Sequence, residues 1–295
     1  MGLAAAGAWG AGDFSGGLAA RRGNVFGVVV LAYSGGLLLM LGVALWRHET
    51  VPPAQAIWIS AAAGLVGGLA LTAFYAALAR GQMGIIAAVG GVLTAAIPVI
   101  FSALTEGWPQ PRRLAGFALA ALAIWMISRP QGNERAPAGL GLAILAGIGF
   151  GAYLVLIKQA GESAVFWPLV FSRASSVISM LVIGLLLRRF ALPTANALPM
   201  ALAAGMFDVC GVALFVLGTR QGRLDVVAVL SSLYPAMTVV LAGIYLKEHI
   251  NGPQRLGMLA ALGAVALIAR RDVRASHYNL DGCRWPASQQ VGNKP

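Results

Sequence analysis

What most constrains this chain is a rhythm of apolar stretches, most of them close to 20 residues, divided by short polar breaks. About 20 apolar residues in helical form cross a hydrocarbon layer roughly 30 Å thick. Ten such spans can be drawn, at 2–20, 25–46, 56–79, 83–105, 113–128, 138–157, 165–187, 197–219, 224–246 and 255–269. The breaks, among them "RRGN", "RHETVPPAQ", "EGWPQPRR", "SRPQGNERAP" and "RRFALPTAN", gather proline, glycine and charge, which is turn chemistry. Only 11% of the 295 residues are charged and the mean hydropathy is +0.79. A soluble domain carries about 25% charged residues, and a larger core would not remove its need for a polar surface. A membrane β-barrel would show short alternating segments instead. The expected fold is an all-α membrane protein with ten transmembrane helices.

The net charge of +11 does not point to nucleic acid, because the 21 lysines and arginines mostly punctuate the ends of apolar runs. There they suit lipid headgroups and orientation signals. Leaving out Arg173 within a span and Lys294 in the tail, they divide nine against ten between the two sides of the ten-span layout, so charge bias alone assigns no orientation. Cys210 and Cys283 form no disulfide framework, and His48, His249 and His277 fall in loops or the tail, outside any metal spacing. No Walker A motif is present and no cofactor is implied. The chain opens almost directly into its first span, as it would if a few residues preceded Met1. Residues 272–295 read as a polar, disordered tail.

The two halves repeat. "TEGWPQPRRLAGFALAALAIWMISR" (105–129) aligns with "KEHINGPQRLGMLAALGAVALIARR" (247–271) at an offset of 142, matching Glu106 with Glu248 and Pro111 with Pro253. "ARGQMGIIAAV" (79–89) parallels "RQGRLDVVAVL" (220–230), and "GAWGAG" (7–12) parallels "IGFGAY" (148–153), both at an offset of 141. The chain then consists of a first five-span repeat over 1–130, a second over 131–271, and the tail. Five is odd, so the second repeat enters the bilayer in the opposite sense. Inverted repeats of this kind are common in secondary transporters, where the substrate site lies near the midplane.

Three charges fall inside spans: Asp13 in "GAWGAGDFSGG", Arg173 in "WPLVFSRASSV" and Asp208 in "AAGMFDVCGVALF". A charge at that depth costs roughly 3 kcal/mol on insertion scales, so such groups face a cavity or pair with one another. Two readings stand side by side. Arg173 holds an anionic group of a substrate while Asp13 or Asp208 binds an ammonium or a coupling proton; or Arg173 forms a structural ion pair with Asp208 or Asp13. Among the aromatic residues Tyr33, Tyr75, Tyr153, Tyr234, Trp9, Phe150 and Trp167, the favoured cavity candidates are Trp9, Tyr75, Tyr153 and Tyr234, although most membrane aromatics simply pack. Trp46, Trp58, Trp108 and Trp125 read as interface anchors. Pro98 and Pro235 fall mid-span as hinge candidates. Small-xxx-small spacings at Gly12/Gly16, Gly64/Gly68 and Gly147/Gly151 permit close helix approach.

These features carry a resemblance. The aromatic–glycine pair early in each half, the small-residue run with proline in "LSSLYPAMTVVLAGIYLKE", and the span-ending Glu106 and Glu248 followed by glycine resemble EamA-type transporters of the drug/metabolite transporter superfamily. The second half matches better, since "FGAYLVLIK" resembles the family's first-span pattern and includes Lys158. The first half departs from it with Asp13, no lysine in its first span, and Leu93 opposite Pro235. The resemblance implies ten helices, both termini in the cytoplasm, and carriage of a small metabolite such as an amino acid. The Ala-, Gly- and Arg-heavy composition suggests a bacterial inner membrane. Partners would be a small-molecule substrate, protons and the lipid bilayer, and a monomer would suffice. The competing classes are a membrane-embedded enzyme and a non-transporting scaffold. The first lacks a histidine or GxSxG in its spans, and the second would not need buried acids.

Overall fold

The computed structural model describes residues 1–106, 111–128, 137–161, 164–221, 231, 234–247 and 252–269. Among them are ten helices and no strand: α1 (Gly2–Arg22), α2 (Val25–Trp46), α3 (Ala54–Arg80), α4 (Met83–Glu106), α5 (Pro111–Ser128), α6 (Leu140–Ala160), α7 (Phe166–Leu186), α8 (Leu198–Gln221), α9 (Tyr234–Tyr245) and α10 (Gly252–Ala269). Helices cover the apolar stretches read from the sequence with ends shifted by a few residues, except that the described part of the ninth begins only at Tyr234. Five stretches are long and apolar enough to cross a membrane, namely α2, α3, α6, α7 and Leu198–Phe215 within α8. Helix α1 is not among them because glycine, serine and Asp13 dilute its hydropathy, yet its 21 residues still make about 31 Å of helix.

Packing runs between the halves more than within them. Helix α1 lies along α8, α3 along α6 and α5 along α10, while α2 packs on both α7 and α8, and α7 on both α2 and α3. Helix α4 contacts α6, α9 and α10. Glycine permits the closest of these approaches. A Cβ on Gly64 would run into the carbonyl of Ser172, and one on Gly205 into the carbonyl of Ala32. Gly147 and Gly151 face Leu93 and Ile97 of α4, so the small-xxx-small spacing there is a helix interface. Serine hydroxyls reinforce the α3–α7 seam: Ser175 donates to the Ala61 carbonyl at 2.7 Å and Ser176 to that of Gly64 at 2.6 Å.

Helix ends are fastened by remote partners. Glu49, in the α2–α3 loop, accepts from the backbone N–H groups of Val165 and Phe166 at 2.8 Å and Trp167 at 3.0 Å. Val165 has no side chain able to cap α7, so Glu49 supplies the acceptor and places a negative charge at the positive end of the helix dipole. The Trp167 indole donates back to the Glu49 carbonyl at 2.7 Å. Asn24 caps α2 through its side-chain oxygen and donates through its amide to the Arg189 carbonyl at 2.6 Å. Arg21 donates to the carbonyls of Leu78 (3.1 Å) and Gly81 (2.8 Å), at the end of α3. Helices α2 and α7 close alike, with His48 (φ 50°) and Arg188 (φ 51°) in the left-handed region just past each.

Trp46 and Trp58 are 77% and 76% exposed at helix ends, where interface anchors belong. Trp108, Glu248 and the tail 272–295 lie outside the described residues, as do the side chains of Glu106 and Pro98.

Candidate functional site

Four helices bring polar groups to one place in the bundle. A cavity is lined by Trp9, Gly12 and Asp13 of α1, Ala32 and Tyr33 of α2, Leu71 and Tyr75 of α3, and Ala204, Gly205 and Asp208 of α8. Its water-accessible volume is about 20 Å³, room for a water molecule or two and closed to anything of metabolite size. The lining combines small residues that let the helices converge with aromatic rings that wall off the space. Gly16, one turn beyond Gly12, leaves room for the Tyr75 ring to lie against α1. Trp9 lies against Gly211 and Phe215 of α8, its ring 5.8 Å from that of Phe215. Thr238 of α9 donates to the Gly10 carbonyl at 3.2 Å, closing the opposite face of α1.

Asp208 reaches out of the cavity to Arg173 of α7, with Oδ2 2.6 Å from Nη2. The Arg173 side chain is 7% exposed and that of Asp208 32%, so the arginine is the more deeply buried partner. Tyr33 completes the arrangement, with the Arg173 guanidinium carbon 4.4 Å from its ring centroid. Its hydroxyl donates to the Gly67 carbonyl at 3.4 Å. Arg173 is thus held by a charge, a π face and the seam between α3 and α7. Of the two pairings open from sequence, the arginine takes Asp208 and not Asp13. Asp13 lines the same cavity and has no hydrogen-bond or ion-pair partner among the described residues.

The other sequence candidates sort by position. Trp9 and Tyr75 line the cavity, whereas Tyr153 and Tyr234 do not. Tyr153 packs on Gly67, and Tyr234 approaches α1 at Gly10 and α4 at Gly91. Tyr33, named in sequence but not favoured, stands at the centre. Nothing in "VLAYSGG" distinguishes it from a packing aromatic, because its partner lies on another helix. Pro235 is the second residue of the described α9 and sits against Gly91. Lys158 is exposed in the last turn of α6.

Residues 137–270, the second half of the chain, match the EamA-like transporter family. That half of the chain is similar to EamA-type transporters of the drug/metabolite transporter superfamily. This match and the five stretches long and apolar enough to cross a membrane make it a multi-pass membrane protein, and the matched family is one of transporters. An uncharacterized protein of Methanocaldococcus jannaschii is 26% identical over 130 residues, which is 44% of this chain and 93% of that protein. That relative is therefore about the size of one half of this chain. A solved crystal structure, titled only as that of a protein, shares the fold with a TM-score of 0.60 and 17% identity over 90% of this chain and 96% of its own.

Proposed function

We propose that this protein is a secondary transporter that moves a small amphipathic metabolite by alternating access between two inverted five-helix halves. The observation that carries the reading is the cavity at the meeting of α1, α2, α3 and α8, with one buried ion pair and one further carboxylate. Charges at that depth are costly and mark pathways in membrane proteins. A cavity too small for a metabolite fits an occluded stage of the cycle, in which neither side has access. Asp13 then serves as the coupling or binding group, carrying a proton or a cation in turn.

The inverted repeat is supported by equivalent helices making equivalent contacts. The pairing of α1 with α8 mirrors that of α6 with α3, and Gly64 and Gly205 approach neighbouring carbonyls 141 positions apart, at the repeat offset. The matching left-handed closures of α2 and α7 point the same way. Residues 1–130 and 131–271 form the two halves. The further reading is export from the cytoplasm across the inner membrane, with both termini inside and a monomer as the working unit. The deciding experiment is counterflow in proteoliposomes holding only this chain, with a panel of labelled amino acids, amines and nucleosides. Saturable exchange of any one supports the carrier; none across the panel overturns it.

A further inference from the structure

We infer that the ligand of this cavity is a small organic cation, a primary or substituted amine whose ammonium is received by Asp13, and not an amino acid or an anion. The inference rests on the transporter reading and names the ligand class of the same site.

Arg173 is the group that a substrate carboxylate would need. Its guanidinium is committed to Asp208 at 2.6 Å and to the face of Tyr33 at 4.4 Å. It is not among the cavity-lining residues. A carboxylate entering the cavity would meet Asp13 and Asp208 and no free cation, and like charges set together oppose binding.

Asp13 supplies the other half of the argument. The titratable groups facing it from the helices packed on α1 are Asp208 of α8, Tyr33 of α2, Tyr75 of α3 and Tyr234 of α9. None of these is a cation, and among the described residues the neighbouring cation, Arg173, is already paired. With Asp13 ionised, two carboxylates against one guanidinium leave the cluster short of one positive charge, which a bound cation would supply. Trp9 and Tyr75 line the same cavity, and aromatic rings attract cations rather than anions. Charge balance and lining therefore favour the same sign of ligand.

The test compares isobutylamine, valine and 3-methylbutyrate, which share a branched tail and differ in their charged groups, against the full chain in detergent and in proteoliposomes. Titrated thermal stabilisation and competition for counterflow should rank isobutylamine tightest by about tenfold or more. Asp13→Asn should erase that preference and Asp13→Glu should retain it. Valine or 3-methylbutyrate binding as tightly as the amine, no binding by any of the three, or an unchanged preference in Asp13→Asn would overturn the inference. Should Asp13→Asn not fold, the wild-type ranking together with Asp13→Glu decides the matter. Saturable counterflow of any other solute alongside a failed amine preference would leave the transporter reading intact, whereas no flux of any solute would remove that reading too.

Discussion

At the scale of single residues, Arg173 and Asp208 are tolerable in a bilayer only together. Arg173→Met or Asp208→Asn alone is expected to destabilise the protein by about 3–5 kcal/mol, because each leaves its partner's charge buried and unpaired. The double variant should recover most of that loss, and unfolding in detergent, arranged as a double-mutant cycle, would check it. A second expectation concerns Arg188, whose φ of 51° is left-handed. Arg188→Gly relieves that conformation and should stabilise by roughly 0.5–1 kcal/mol in the same assay. The sequence displayed the three buried charges clearly, since apolar runs make any exception visible. It could not choose between Asp13 and Asp208 as the partner of Arg173, because both are lone acids of similar depth and the choice depends on how α1, α7 and α8 meet. Tyr33 was harder still: a tyrosine in a span carries no mark of what its ring will cover.

At the scale of elements, helix positions were legible because hydropathy and turn residues act locally, and most boundaries moved by only a few residues. Their fastenings were not. Glu49 caps α7 from 116 to 118 residues away, and nothing in "RHETVPPAQ" announces that role. Glu49→Ala should cost about 1–2 kcal/mol, as losing a helix cap does, and should speed amide exchange at Val165 to Trp167. Glu49→Gln keeps an acceptor oxygen and should lose less. The seam between α3 and α7 makes a contrasting case. Gly64→Ala would press a methyl group into the Ser172 carbonyl, so it should cost on the order of 1–3 kcal/mol. Here the sequence did point correctly, because the Gly64/Gly68 spacing was visible, although the helix it served was not.

At the scale of the whole molecule, the principal helix contacts join one half to the other, so neither half buries its own apolar faces. Residues 1–130 and 131–295, expressed separately, should each be degraded or aggregate, while co-expression should yield a complex that purifies together and melts cooperatively. Independent folding of either half would contradict this. The internal repeat was the strongest long-range signal in the sequence, because offsets of 141 and 142 survive even where composition is monotonous. Orientation stayed hidden, since basic residues divide evenly between the sides. The charges within the bundle have an electrical consequence. Arg173 and Asp208 move as a neutral couple, so a rearrangement that keeps them together does almost no work against the membrane voltage. Asp13 belongs to one half only and has no such companion. Any step that carries it bare across the field is charged about 2.3 kcal/mol per 100 mV for the full distance. In the proposed carrier, Asp13 loaded with a monovalent cation would cross nearly free, so voltage should retard the empty return and leave the loaded passage almost untouched.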